Sequence, residues 1–218
     1  KVPLGGLSPT PARFGWNGGY IFETNAQIIL AEEQYYLVTA DRPFLMEQIE
    51  NMERAIQFYL TMCDGDGVII LPEKYNGINQ NCSSSYWDGW QIGHKSAFVQ
   101  MYAAGAAEAL ARMERALERT EQADAYAAQA VRLRKALLAT YWREGDLQDN
   151  QGAPIPGGRL ISWIAQDGTV VDAGFTDLSL MSIALNLLPE EHAQQVYEWI
   201  NHDPHAYAWR DHLSGEET

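Results

Sequence analysis

The chain has 218 residues, 46% of them hydrophobic, which suffices for one sizeable core and makes two independent domains improbable. Its formal net charge of −14 argues against nucleic acids and anionic membranes as partners, because the long-range field repels both. The sequence has no uninterrupted apolar run near the ~18 residues of a membrane span, and its first residues lack the apolar core of a signal peptide. We therefore expect one domain over residues 1–218 that neither crosses nor anchors in a membrane.

Metal and cofactor motifs are weak. Cys63 and Cys82 have no CxxC spacing and no clustered histidines, so a zinc site is not expected. The segment 64–67, Asp-Gly-Asp-Gly, resembles the start of a calcium loop but lacks the later ligands, and a turn is the better interpretation. We predict no metal and no cofactor, and the composition does not separate cytoplasm from extracellular space.

Helical periodicity predicts the first hairpin. Apolar residues recur at helical spacing over residues 22–40, and Asp41-Arg42-Pro43 then supplies a stop followed by a proline suited to a helix start. The same periodicity resumes over 43–62. Because the connection is so short, the two helices are expected to be antiparallel.

Two further hairpins follow the same scheme. Alanine-rich helices are predicted from about Lys95 to Leu117 and over 121–142, and a last pair over 177–188 and from Pro189 to about His202. In the second hairpin, Glu114 with Glu118 and Arg115 with Arg119 form like-charge pairs four residues apart. We interpret that stripe as a solvated helix face.

Two long connections separate the hairpins, over residues 63–95 and 143–175. The first carries a possible short strand at Val68 to Leu71, and the second carries an Asp-Gly turn between alternating runs, which predicts a β-hairpin. Long loops inside compact domains are usually functional or disordered, and their aromatic content argues against disorder. Since the tight turns alternate with the long loops, both long loops should lie on one face of an all-α ring or stack.

The strongest candidate site lies in the first long loop, in Tyr86-Trp87-Asp88-Gly89-Trp90. A carboxylate among aromatic rings is desolvated, which raises its pKa toward the range of a proton donor near neutrality. Asp88 is therefore the candidate general acid, although capping a turn or accepting an indole N–H is an alternative role. Aromatic rings in loops suit sugar C–H faces, or they cover helix ends. Contacts with sugar are expected from Tyr86, Trp87, Trp90, Trp16, His94 and Lys95.

Three other carboxylates fall on the same predicted face. Glu73 and Asp177 are candidate catalytic partners, and Asp172 is a candidate sugar ligand. Thr176 or Asp177 could instead be the N-cap of the fifth helix. Hydrolysis of a glycosidic bond needs an acid and a second carboxylate ~5 to 10 Å apart, a distance that the sequence does not give.

These segments together resemble a known superfamily. The segment 84–95, from Ser84-Ser85-Tyr86-Trp87-Asp88 to Gly93-His94-Lys95 before an alanine-rich helix, is similar to the central segment of six-hairpin glycosidases, the trehalase-, glucosidase- and rhamnosidase-like (α/α)6 toroids. The hairpin at 14–45 and the segment DGTVVDAGFTDLSLMSIALNLLP also look like their repeats. The resemblance covers nearly all of residues 14–202.

The resemblance implies an all-α toroid of antiparallel helical hairpins with the site in its mouth. In trehalase-like members a Ser-Gly-Trp-Asp segment carries the acid, and Asp88 looks like its counterpart, although Tyr86 precedes Trp87 here. Only about three hairpins are visible, so we expect about half of an (α/α)6 barrel, with a small β-hairpin, from a longer polypeptide. The resemblance implies a catalytic base on a later hairpin, which leaves open a base outside this chain. An inverting glycoside hydrolase acting on an oligosaccharide or glycoside is the leading hypothesis. A non-hydrolytic carbohydrate-binding or sugar-isomerising toroid and a helical interaction scaffold are the alternatives.

Overall fold

A computed structural model describes residues 20–79, 84–85, 90–148 and 153–202. Six helices form three antiparallel hairpins, as the periodicity predicted. Their bounds are α1 Thr24–Thr39, α2 Arg42–Thr61, α3 Ala97–Ala116, α4 Thr120–Tyr141, α5 Thr176–Ala184 and α6 Glu190–His202. None of these helices is both long enough and apolar enough to cross a membrane.

Short polar signals end and restart the helices at the tight turns. Ala40 ends α1 in the left-handed conformation, and the Asp41 carboxylate caps α2 by accepting the N–H of Phe44 at 3.0 Å. Glu118 and Asn186 take positive φ values of 65° and 56° between the helices of the second and third hairpins. The chain therefore reverses within a few residues at one end of each hairpin.

Helix α3 is the centre of the fold. All but four of its 20 residues are buried, because its alanines allow helices to approach on every side. It contacts α1, α2, α4 and α5, and α6 contacts α5. At Gly105 a Cβ would lie 2.9 Å from Leu185 Cδ1, so a small residue permits the close approach of α3 and the end of α5. The three hairpins have the architecture of part of a helical toroid.

The strands are short and come from the long loops. Strand β1 (Lys95–Ser96) pairs antiparallel with β4 (Trp163–Ile164), which pairs with β5 (Val170–Val171). Strands β2 (Trp142–Glu144) and β3 (Gly158–Leu160) form a second antiparallel pair. The predicted β-hairpin across the Asp-Gly turn is therefore confirmed as β4–β5. The predicted strand at Val68 to Leu71 is wrong, since Ile69 forms only an isolated bridge to Cys63.

The interpretation of the charged stripe on α3 as solvated is wrong for Glu114. Its side chain is fully buried, and Arg119 joins it to Glu53 of α2, with Nε 3.1 Å from Glu114 and Nη2 2.6 Å from Glu53. Burial first, and then the hydrogen bond with Glu53, raise the pKa of Glu114 to about 7. The cluster fastens α2 to the turn between α3 and α4, at the end of the fold opposite the long loops.

Candidate functional site

The two long loops meet at one face of the molecule. Besides the β1–β4 pairing, the indole N–H of Trp163 donates to the Gly77 carbonyl at 3.0 Å, and the Gln166 N–H donates to the Asn76 carbonyl at 2.8 Å. Gly77 has a φ of +83°, and a Cβ there would lie 3.0 Å from the Ala165 Cα. The backbones of the two loops are thus in direct contact, as the alternation of turns and loops predicted.

An aromatic cluster, formed by Trp90, Trp163 and Phe175, lies at this junction. The Trp90 ring packs edge-on against Phe175 with centroids 5.2 Å apart and against Trp163 at 6.3 Å. Phe175 continues inward to Phe98 of α3 at 5.4 Å. Trp90 remains 44% exposed although the cluster holds it on one side. A fixed, half-exposed indole ring can stack against the C–H face of a sugar.

Asp177 lies next to this aromatic cluster in sequence and in the fold. It occupies the first turn of α5, two residues after Phe175, and its side chain is partly buried. The N-cap is Phe175, so the alternative that Thr176 or Asp177 caps α5 is wrong. An aspartate in a first helical turn lies close to the unpaired N–H groups at the start of the helix. A catalytic role for Asp177 stays a prediction.

Asp172 forms an ion pair with Arg159. Arg159 donates from Nε to both carboxylate oxygens at 3.1 and 3.0 Å and from Nη2 at 2.8 Å, and the Gly174 N–H adds a bond at 3.2 Å. The guanidinium of Arg159 also lies 4.8 Å from the ring centre of Trp199. This arrangement anchors the second long loop to α6, and sugar binding by Asp172 stays a prediction.

Glu73, His94 and Lys95 are spread over the first long loop. Glu73 is exposed in a turn whose ends are held by His94, because the Leu71 N–H donates to the His94 carbonyl at 2.8 Å and the His94 N–H to the Tyr75 carbonyl. Burial first, and then the charge of Lys95, lower the pKa of His94. Lys95 lines a cavity of about 590 Å³ with Arg132 of α4. Sugar contacts by these side chains stay predictions.

Tyr86, Trp87 and Asp88, the centre of the predicted motif, lie outside the described residues, and so does Trp16. Cys63 is a free thiol. Cys82 lies outside the described residues. The segment 64–67 forms the predicted turn, with Asp64 Oδ1 accepting the N–H groups of Asp66 and Val68. Among the described side chains no group of three acidic, histidine or cysteine residues is arranged to hold a metal ion.

Sequence reasoning missed a buried polar group beside the motif. Glu23, Asn25, Ser84 and Ser85 have no exposed area. The Phe22 N–H donates to the Ser84 carbonyl at 3.1 Å, so the start of α1 touches the segment that leads into residue 86. One feature of the sequence could have indicated this burial. Glu23 stands at the start of a helix, where a shorter capping residue is usual. Its burial depends on residues about 60 positions away.

Glu23 has an unusual electrostatic environment. Burial raises the pKa of Glu23 to about 7, and the Ser85 hydroxyl and the Glu23 backbone lower it only in part. Neither carboxylate oxygen accepts a hydrogen bond of normal geometry within the described residues. The group is therefore poised to bind or release a proton near neutral pH.

Successive antiparallel helical hairpins in part of a toroid are the features of six-hairpin glycosidases. The family model of the bacterial alpha-L-rhamnosidase 6 hairpin glycosidase domain matches residues 5–203, and the chain belongs to this family. No curated protein matches the sequence significantly.

Solved structures agree with this fold. The chain is similar to a GH78 family rhamnosidase of Bacillus sp. GL1, with 18% identity and a TM-score of 0.64 over 84% of this chain and 17% of that one. It is also similar to a rhamnosidase from Klebsiella oxytoca with rhamnose bound, with 16% identity and a TM-score of 0.57 over 84% of this chain and 31% of that one. The chain thus spans less than a third of either structure.

Proposed function

We propose that the chain is part of a glycoside hydrolase that cleaves α-L-rhamnosides, with its reaction centre at the long-loop face. Family membership and the rhamnose-bound neighbour support the substrate class. The observation that carries the proposal is the half-exposed Trp90 ring, held by Phe175 and Trp163 at the junction of the two loops. A sugar stacked there would lie between the loop carrying Asp88 and the start of α5.

In this proposal Asp88 is the general acid and Asp177 the second carboxylate. Asp88 donates a proton to the glycosidic oxygen as the bond to the anomeric carbon breaks, and Asp177 accepts a proton from the attacking water. A single displacement of this kind inverts the anomeric configuration. Glu73 is the alternative to Asp177, and Tyr86, Trp87 and Trp90 form the sugar platform.

Asp88→Asn in the full-length protein tests the assignment of the acid. We expect kcat on a rhamnose-containing disaccharide to fall by ~10²-fold or more, because the alkoxide leaving group needs the proton. An aryl rhamnoside, whose leaving group needs less protonation, should lose less. The matched control Asp66→Asn changes an exposed turn residue and should leave turnover unchanged. Near-wild-type turnover of Asp88→Asn on the disaccharide would exclude Asp88 as the acid.

Asp177→Asn separates the second carboxylate from the acid. If Asp177 activates water, the variant should lose at least ~10²-fold in kcat on both substrates alike. Following the first-formed anomer by proton NMR should show inversion. If Asp177→Asn keeps its turnover, Glu73 becomes the candidate second carboxylate. The same kinetic measurement on Glu73→Gln then tests it. Rhamnose binding by calorimetry without any product from the wild type would favour a binding toroid instead.

We further propose that three more hairpins of the same polypeptide complete the ring. Helices α1, α3 and α5 line a groove of about 460 Å³. Met181 of this lining is 38% exposed, and the preceding residue of α5, Leu180, is 40% exposed. In the full-length protein, Leu180→Arg should lower the free energy of unfolding by more than ~1 kcal/mol, since it would bury a charge. The control Tyr197→Arg, on α6, should be nearly neutral. A neutral Leu180→Arg would mean that this face is open to solvent.

A further inference from the structure

We propose that Glu23 is a proton-binding positioning residue of the long-loop face, and that its charge state sets the arrangement of Ser84 and Ser85 and so the activity of the site. This inference rests on the proposed function for its consequence in catalysis, but its structural part does not. Glu23 has no exposed area, so it acts through other residues and does not touch substrate.

The start of α1 is enclosed by hydrogen bonds from two distant segments. The Tyr59 hydroxyl, from α2, accepts the Ala26 N–H at 3.0 Å and donates to the Phe22 carbonyl. The Phe22 N–H in turn donates to the Ser84 carbonyl at 3.1 Å. Glu23 is therefore held between α2 and the loop segment 84–85. A change in its charge acts directly on both.

The loop segment is fixed on its far side as well. The Ser84 hydroxyl donates to the Ile92 carbonyl, which joins residue 84 to the residues that precede β1. Trp90 lies between these two residues in the chain and belongs to the aromatic cluster. A shift of Ser84 or Ser85 is thus transmitted to both ends of the segment that contains the motif.

Within the part of the chain that the structure describes, no opposite charge compensates that of an ionised Glu23. An ionised carboxylate in such a site costs several kcal/mol unless donors surround it. No basic side chain of the described residues forms an ion pair with it. The titratable group bonded to this helix start is Tyr59, whose pKa is raised first by burial and further by the charge of Glu23. If Glu23 had only a packing role, an uncharged side chain of similar size would serve at this position. The carboxyl group is thus neutral in acid and becomes an isolated buried anion in base.

The direction of the effect follows. Below neutral pH the protonated carboxyl group has an O–H that can pair with Ser85, and the start of α1 and the loop remain together. Above it, the buried anion adds negative charge beside the loop that carries Asp88. The wild-type enzyme should lose kcat/KM through the upper part of the neutral range.

Glu23→Gln keeps the shape and removes the ionisation. In the full-length enzyme it should keep kcat/KM on an aryl rhamnoside within ~3-fold at about pH 5, and its alkaline limb should move upward by ~0.5 pH units or more. The control Glu32→Gln, on the same helix and also buried, should leave the wild-type profile unchanged. A Glu23→Gln profile that superimposes on the wild type would overturn the inference. Glu23→Ala should lose ~10-fold or more in kcat, with Gln restoring it.

A second measurement needs no substrate. In the wild type, the amide NMR shifts of Ser84 and Ser85 should titrate with the carboxyl carbon of Glu23, with a midpoint near pH 7. They should stay flat in Glu23→Gln. Ser84 and Ser85 amides that ignore the titration of Glu23 would also overturn the inference. Coupled amides in a protein that neither binds nor hydrolyses rhamnosides would support the positioning by Glu23 and refute the proposed function alone.

Discussion

Gln100 of α3 fastens the first long loop to the helical core, and its replacement tests whether that loop is a fixed part of the fold. Its fully buried amide accepts the Ile69 N–H at 2.9 Å and donates to the carbonyls of Gly67 and Leu133 at 3.0 Å each. One side chain thus joins the loop, α3 and α4. In Gln100→Ala all three hydrogen bonds are lost.

The magnitude follows from the partners left behind. The buried Ile69 N–H loses its acceptor, which costs ~1–3 kcal/mol, and the two carbonyl bonds contribute ~0.5–1.5 kcal/mol each. We therefore expect Gln100→Ala to lower the free energy of unfolding by about 2–6 kcal/mol in urea titrations followed by circular dichroism. Hydrogen exchange at Ile69 should accelerate together with the global loss. Gln57→Ala, an exposed change on α2, should stay within ~0.5 kcal/mol of wild type. A Gln100→Ala protein as stable as that control would refute the reasoning.

Two further predictions concern the core and the tight-turn end. Gly157→Ala should lower the free energy of unfolding by more than ~2 kcal/mol in the same titration, because φ is +95° and a Cβ would lie 2.5 Å from the Trp199 nitrogen. The control Gly65→Ala has open space around it and should have a small effect. Equal effects of the two substitutions would contradict the clash. The pKa of Glu114 is raised from 4.5 to about 7, so its stabilising contribution is complete below about pH 4.5 and is lost as pH rises through 7. Glu114→Gln should therefore flatten the fall in melting temperature between about pH 5 and pH 8, and an unchanged slope would exclude Glu114 as its source.

The helices were predictable because their signals are local. The bounds of α1 and α2 agree with the predicted 22–40 and 43–62 to within two residues, since the stop at Asp41 and the proline at 43 act on adjacent backbone. The predicted end of the fifth helix was less accurate. Helix α5 ends at Ala184, where the positive φ of Asn186 interrupts a sequence that is still apolar through Leu188.

The environment of single charged residues was not predictable in the same way. Glu114 seemed solvated when only its own helix was considered, and its burial comes from Glu53 and Arg119 on other segments. The burial of Glu23 likewise depends on Tyr59 and on Ser84. The pattern of one element does not contain such long-range partners.

The sequence predicted on which face of the molecule the candidate site lies. It predicted less well which residues form that site. The meeting of the two long loops followed from the alternation of turns, and Trp90 lies where they join. The engagement of Asp172 by Arg159 was not foreseeable, because an aspartate in an apolar loop gives no sign of its partner. The roles of Asp88 and Asp177 stay predictions.

The central claim is that rhamnosides bind at the junction of the long loops and react there, and a crystal structure of the full-length Asp88→Asn protein with a bound rhamnoside tests it most directly. The account predicts a sugar ring in van der Waals contact with Trp90, with residue 88 and Asp177 flanking the glycosidic bond ~5 to 10 Å apart. A rhamnoside bound away from Trp90, or residue 88 turned away from the sugar in a helix cap, would contradict it.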